Sequence, residues 1–128
     1  MTEKEEGTTP MIDFAKRGGV IPVVVQSIVN GDVLMVGYAE ATALEKTIAT
    51  GYATFWSTSR NELWTKGESS GDRLRIEEVR VDCDQDALLY IVTPLGAGAC
   101  HTRDPEKGGA RTSCFYRAFD KNGSLRIL

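Results

Sequence analysis

At 128 residues, 41% hydrophobic and 26% charged, the chain has the length and composition of one globular domain that buries about two-thirds of its unfolded surface. A net charge of −3 without a basic stripe argues against a nucleic-acid binder, and no apolar run reaches the roughly 20 residues of a bilayer-spanning helix. The acidic, polar start is unlike a signal peptide and points to the cytoplasm, where three cysteines serve metal ligation, catalysis or core filling rather than disulfides.

Residues 1–10 read as a flexible N-terminal tail and residues 11–128 as a single domain. Residues 11–17 suit two helical turns, with Ile12, Phe14 and Ala15 inward and Gly18-Gly19 as the stop. Residues 21–28, rich in Val23, Val24 and Val25, form a buried strand; Asn30-Gly31 turns it back into a second strand over 33–38. Residues 40–50 form the one main helix, with Ala41, Leu44 and Ile48 on one face, Gly51 as the stop, and Thr42 with Glu45 as a capping box. Strands follow at 52–57 and 63–66 around a turn at Asn61. Across 74–81 the apolar alternation changes parity after Glu77-Glu78, the mark of a β-bulge. Further strands fall at 88–92, 115–119 and 125–128, with a long Gly-rich loop over 96–111. The fold class is α+β, a mostly antiparallel sheet with one main helix.

Three groups of residues carry the chemistry. In Asp82-Cys83-Asp84-Gln85-Asp86, a chain that stays extended puts Asp82, Asp84 and Asp86 on one side and Cys83 on the other. Crowded carboxylates repel unless a cation neutralises them. Calcium in an EF-hand is excluded, because the sixth and twelfth positions from Asp82 are Ala87 and Thr93 where Gly and Glu are required. Magnesium, with water and substrate phosphate completing its shell, stays open. The thiols Cys83, Cys100 and Cys114 lack CxxC spacing, and free cysteines are often small core residues. However, His101, the only histidine, follows Cys100, and Cys114 lies in a polar context. Three protein ligands leave a tetrahedral zinc one position for water, the catalytic arrangement. The last group is Trp56-Ser57-Thr58-Ser59-Arg60 with Lys66-Gly67-Glu68-Ser69-Ser70, rich in donors for a phosphate or ribose. Trp56 and Trp64 can stack on a base, although tryptophan more often packs in the core. The three groups together describe a metal-dependent enzyme acting on a phosphorylated, nucleotide-like ligand.

Several stretches, in order, resemble the phosphoribosyl-AMP cyclohydrolase family of histidine biosynthesis. They include Ile21-Pro22-Val23-Val24-Val25-Gln26, Trp56-Ser57-x-Ser59-Arg60, Leu63-Trp64-x-Lys66-Gly67-Glu68-x-Ser70-Gly71, Asp82-Cys83-Asp84-x-Asp86-Ala87-Leu88-Leu89, Ala99-Cys100-His101-Thr102 and Ser113-Cys114-Phe115-Tyr116-Arg117. The resemblance implies an obligate-type homodimer with active sites at the subunit interface. It implies zinc held by Cys83 of one chain and Cys100 with Cys114 of the other, and magnesium at Asp82, Asp84 and Asp86. It assigns substrate binding to Trp56, Ser57, Ser59, Arg60, Lys66, Ser70 and Arg117. Two departures stand out. Residues 103–111 lengthen the link between the second and third cysteines, leaving either Arg103 or Arg111 as the usual basic residue there. Thr58 and Ser69 replace a basic residue and a threonine.

The implied reaction opens the adenine ring of 1-(5-phosphoribosyl)-AMP between ring nitrogen 1 and carbon 6, with zinc-bound hydroxide as the nucleophile. His101 is the candidate proton shuttle, with a ligand-orienting role as its alternative. The rival functions are another zinc-dependent nucleotide deaminase or hydrolase, and a non-catalytic zinc-stapled dimeric binding module in which His101 closes a Cys₃His site.

Overall fold

Strand β1, Ile21–Ser27, buries alternate side chains, so Ile21, Val23, Val25 and Ser27 face inward. It heads a four-stranded sheet in the computed structural model, which describes residues 2–128, Arg17 by its backbone alone. The order is β2 (Val33–Ala39), β1, β6 (Leu88–Pro94), β5 (Leu74–Val81). The β1–β2 and β5–β6 pairs are antiparallel; the central β1–β6 pair is parallel. One end of the sheet therefore holds the starts of β1 and β6 with the ends of β2 and β5. The other end holds Ser27, Val33, Leu74 and Val92.

The expected hairpin forms, with Gly31 at φ 81° and Asn30 accepting the amide of Asp32. The expected bulge lies between Ile76 and Glu78, where Glu77 has no register partner and Val79 resumes the half-buried row. Helix α2, Ala41–Thr50, matches its expected bounds, but the Glu40 carboxylate caps it by accepting from the Ala43 amide, in place of Thr42 with Glu45. Its buried residues are Ala43 and Thr47, and Ile48 is 65% exposed. The Thr47 hydroxyl donates to the Thr54 carbonyl and accepts the Thr54 amide, both at 3.0 Å, so a small polar side chain takes the position that Ile48 was expected to fill.

Strands β3 (Thr54–Ser57) and β4 (Glu62–Thr65) form a hairpin turned at Asn61, φ 52°. Phe55, fully buried, stacks between Trp64 at 4.9 Å and Tyr90 at 5.7 Å and joins this hairpin to the main sheet. Gly37 is needed beneath it, because a Cβ there would meet the Phe55 ring. The last hairpin, β7 (Arg117–Phe119) with β8 (Leu125–Ile127), is a sheet of its own. The architecture is α+β with mostly antiparallel strands, as the sequence implied.

Residues 11–17 hold one 3₁₀ turn, Ala15–Arg17, rather than two α-turns; Gly18 at φ 78° ends it, and Ile12 and Phe14 pack on the core. The segment expected as a tail contains a helical turn, α1 (Glu3–Glu6), and is hydrogen-bonded to the domain. Among the described residues no helix is long and apolar enough to cross a membrane.

Candidate active site

The acid stretch does not stay extended. Strand β5 ends at Val81, and the backbone folds into a turn in which the Asp82 amide donates to the Ala87 carbonyl (3.1 Å) and the Gln85 amide to the Asp82 carbonyl (3.1 Å). The Asp82 side chain holds the turn by accepting the amides of Asp86 (2.9 Å) and Ala87 (3.0 Å). Gln85, at φ 55°, reverses the chain direction. The expected two-sided alternation is therefore wrong, because an aspartate bonding to amides four and five residues ahead favours a turn over a strand.

The turn still gathers the carboxylates: oxygens of Asp82, Asp84 and Asp86 lie within 4.8 Å of one another. Hydrogen bonding to Asp86, reduced hydration, and the charges of Asp82 and Asp86 push the Asp84 carboxyl above its ordinary range. Carboxylates crowded this closely suit a hard divalent cation with oxygen ligands, whose charge would relieve their repulsion. Cys83, on the same turn, is exposed.

The other two thiols meet elsewhere. Ser113 donates to the Val33 carbonyl (2.7 Å) and the Cys114 amide to the Leu34 carbonyl (2.7 Å), which fastens Cys114 to the start of β2. Residues 99–102 run beside 111–112, with the Cys100 amide on the Arg111 carbonyl (3.0 Å) and the Arg111 amide on the Thr102 carbonyl (2.9 Å). Between them the chain doubles back as a small hairpin, with a bridge from Arg103 to Ala110 and the Asp104 amide on the Gly109 carbonyl (2.8 Å). This hairpin absorbs the lengthened link, so the extra residues leave Cys100 and Cys114 side by side.

The two thiols lie close enough to act on each other's ionisation. Burial opposes ionisation of Cys100, but the Thr102 hydroxyl (2.9 Å) and amide (3.4 Å), the Cys114 thiol and the Arg111 charge outweigh it and hold its pKa below the usual thiol value. Lost hydration and the neighbouring Cys100 raise Cys114 to about 11, against a smaller opposing effect of Lys66. The pair thus keeps one proton on Cys114 and presents Cys100 as the first thiolate, donor chemistry that fits a soft metal such as zinc.

Cys83 is far from this pair within one chain. The acid turn leads into β6 at Leu88, level with Val23, whereas Leu34 lies two strands across, level with Val25 and Gln26. At about 4.8 Å per strand spacing and 3.3 Å per residue, the separation is roughly 10 Å in each direction. Among the described residues, the aspartates are the one group of three His, Cys, Asp or Glu within 4.8 Å; the cysteines and the exposed His101 form none.

The donor-rich hairpin lies at β3–β4. Ser57 accepts the Arg60 amide (3.2 Å) and lies 3.3 Å from Ser59. Arg60, Trp64 and Ser70 line a cavity of about 320 Å³, while Trp56 stays half-buried. Lys66 stands close enough to Cys114 to act on its charge. Arg117, exposed, lies 5.4 Å from the Tyr116 ring, and Arg111 stacks on that ring at 3.9 Å. Arg103 donates instead to the Gly108 carbonyl (2.8 Å), so Arg111 is the cation facing the thiols. Thr102, quoted in the Ala99–Thr102 stretch but given no role there, is the residue whose hydroxyl and amide meet the Cys100 sulfur.

The phosphoribosyl-AMP cyclohydrolase family model matches residues 35–116. The chain belongs to that family. It is 49% identical over 109 residues to the phosphoribosyl-AMP cyclohydrolase of Solibacter usitatus (strain Ellin6076), covering 85% of this chain and 81% of the relative. The Sphingopyxis alaskensis protein of the same name aligns at 44% over 128 residues, all of this chain and 95% of the relative. That of Cenarchaeum symbiosum (strain A) is 50% identical over 107 residues, 84% of this chain and 92% of the relative. Membership of this family makes the chain an enzyme, a hydrolase of histidine biosynthesis.

Proposed function

We propose that the chain opens the adenine ring of 1-(5-phosphoribosyl)-AMP between ring nitrogen 1 and carbon 6, in the cytoplasm, at an active site shared by two subunits. The observation that carries the two-subunit reading is the distance of Cys83 from the neighbouring thiols of Cys100 and Cys114 across one sheet. A third thiol reaches the pair when Cys83 of the partner subunit is brought to it. The exposed apolar surface agrees: Val36, Val24 and Leu89 lie in register across the outer face of the sheet, and Phe119 and Ile127 of the last hairpin are 75% and 68% exposed. Faces of this kind ordinarily mark a protein partner.

Zinc held by these thiols supplies Lewis-acid chemistry and activates water near neutral pH. Asp82, Asp84 and Asp86 hold magnesium, whose charge offsets that of a substrate phosphate. The serines 57, 59 and 70, with Arg60, Lys66 and Arg117, bind the phosphates and ribose, and Trp56 orients the base. Water oxygen joins carbon 6, the bond to nitrogen 1 breaks with its electron pair staying on nitrogen 1, and the two water protons end on nitrogen 1 and on the exocyclic nitrogen, leaving carbon 6 as a carboxamide. His101, exposed beside Cys100, moves the proton that ends on nitrogen 1. The test is mixing inactive Cys83→Ala and Cys100→Ala chains and following ring opening by absorbance. Mixed dimers are expected to regain activity, since one of their two sites is intact; verified mixed dimers without activity would overturn the shared site.

A further inference from the structure

Gln85 stands between two of the clustered aspartates, yet it is only 6% exposed while Asp82, Cys83 and Asp84 are exposed. Its positive φ turns the side chain to the opposite side of the backbone from the acids' open face. There its amide oxygen accepts from the Met11 amide (2.6 Å), and its nitrogen donates to the carbonyls of Lys4 (2.9 Å) and Thr9 (3.4 Å). All three partners are backbone groups, 74 to 81 residues away in sequence. A primary amide is suited to this task because it accepts and donates twice from one planar group. Thr8, Thr9 and Pro10 run along Val79 and Leu88, beside the strands that enter and leave the acid turn.

We propose that residues 4–11 form a strap that holds the acid turn in its ion-binding shape, with Gln85 as the positioning residue. The inference rests on the reading of Asp82, Asp84 and Asp86 as the magnesium site. Three carboxylates within 4.8 Å repel, and a turn fastened only by its own bonds relaxes by spreading them. Anchoring Gln85 from behind resists that spreading, as outer hydrogen bonds do for metal ligands generally.

The test uses the full-length protein with Mn²⁺ as the probe, titrated by its EPR signal, in the wild type and in Asp84→Asn, Gln85→Ala and Gln85→Asn. Neither Gln85 variant changes charge, and the asparagine, one methylene shorter, fails to span the same bonds. Both are expected to bind Mn²⁺ about tenfold more weakly. The amides of Met11, Asp86 and Ala87 should exchange hydrogen faster. Wild-type Mn²⁺ affinity in both variants, with faster exchange at Met11, would leave the strap a stabilising contact only and overturn the proposal. Wild-type affinity no better than that of Asp84→Asn would overturn the ion-site reading itself, and the proposal with it.

Discussion

The acid turn and the thiol pair occupy opposite corners of one sheet and are built on different plans. The acid turn is local: the Asp82 carboxylate binds the amides of Asp86 and Ala87, and all three aspartates come from one turn of one chain. The thiol corner is assembled from distant pieces, with Cys114 fastened to β2 and Cys100 to the strand-like run before Thr112. It presents two thiols where a catalytic zinc takes three ligands. On the proposed shared site, the acid corner is drawn from one chain while the thiol corner needs a third thiol from a second. Separating subunits should therefore release zinc while leaving the aspartates able to bind a hard cation.

The sharpest break is Cys114→Ser. Loss of Lewis-acid stabilisation worth several kcal/mol lowers kcat/KM by roughly a thousandfold or more at 1.36 kcal/mol per decade. Zinc content by mass spectrometry should fall, and Mn²⁺ binding at the other corner should stay at the wild-type value. Retained zinc and turnover would remove Cys114 from the ligand set.

At the acid corner Asp84→Asn should weaken Mn²⁺ binding by about ten- to a hundredfold. Its pH behaviour follows from the raised carboxyl. Between the ordinary aspartate value and the raised one, the folded chain holds more protons than the unfolded chain, so metal-free stability falls as pH rises through that window. Melting curves of the metal-free wild type should show this decline relative to Asp84→Asn, and saturating Mg²⁺ should abolish the difference. Equal pH slopes in the two proteins would show that the acids do not repel.

The contrast also explains what the sequence could disclose. The Asn30-Gly31 turn and the bulge after Ile76 were legible because each is written in adjacent residues. The acid cluster was legible for the same reason, although extrapolating the strand parity through Asp82 missed its turn, which the side chain of Asp82 creates. The face of α2 was read only in part: Leu44 packs on the core as expected, but Ala43 and Thr47 are buried in place of Ala41 and Ile48, against neighbouring elements that no local pattern specifies. The meeting of Cys100 with Cys114 and the anchoring of Met11 by Gln85 join segments far apart in sequence, so residue spacing alone carried no sign of either.

A smaller effect separates folding from ion binding at the acid corner. Asp82→Ala removes two amide bonds of the capping kind, with an expected loss of about 1 kcal/mol and a few degrees in Tm. Asp82→Asn keeps an oxygen acceptor for those amides while giving up the charge. The asparagine variant should recover most of the Tm but little of the Mn²⁺ affinity. Equal Tm losses in both would mean that the carboxylate charge, rather than its hydrogen bonds, holds the turn.

The smallest effect lies at the thiol corner, where Arg111 stacks on Tyr116 at 3.9 Å. Tyr116→Leu keeps apolar bulk but removes the ring, for an expected loss of about 0.5–1 kcal/mol. Arg111 is one of the groups that lower the Cys100 pKa, so loosening it should let the thiol rise towards its ordinary value. In the metal-free protein, the pH midpoint for alkylation of Cys100 should then move upward. Since the Thr102 bonds that also stabilise the thiolate remain, the shift should be partial. An unchanged midpoint with lowered stability would confine the Arg111–Tyr116 pair to packing and leave Thr102 and Cys114 to hold the charge on Cys100.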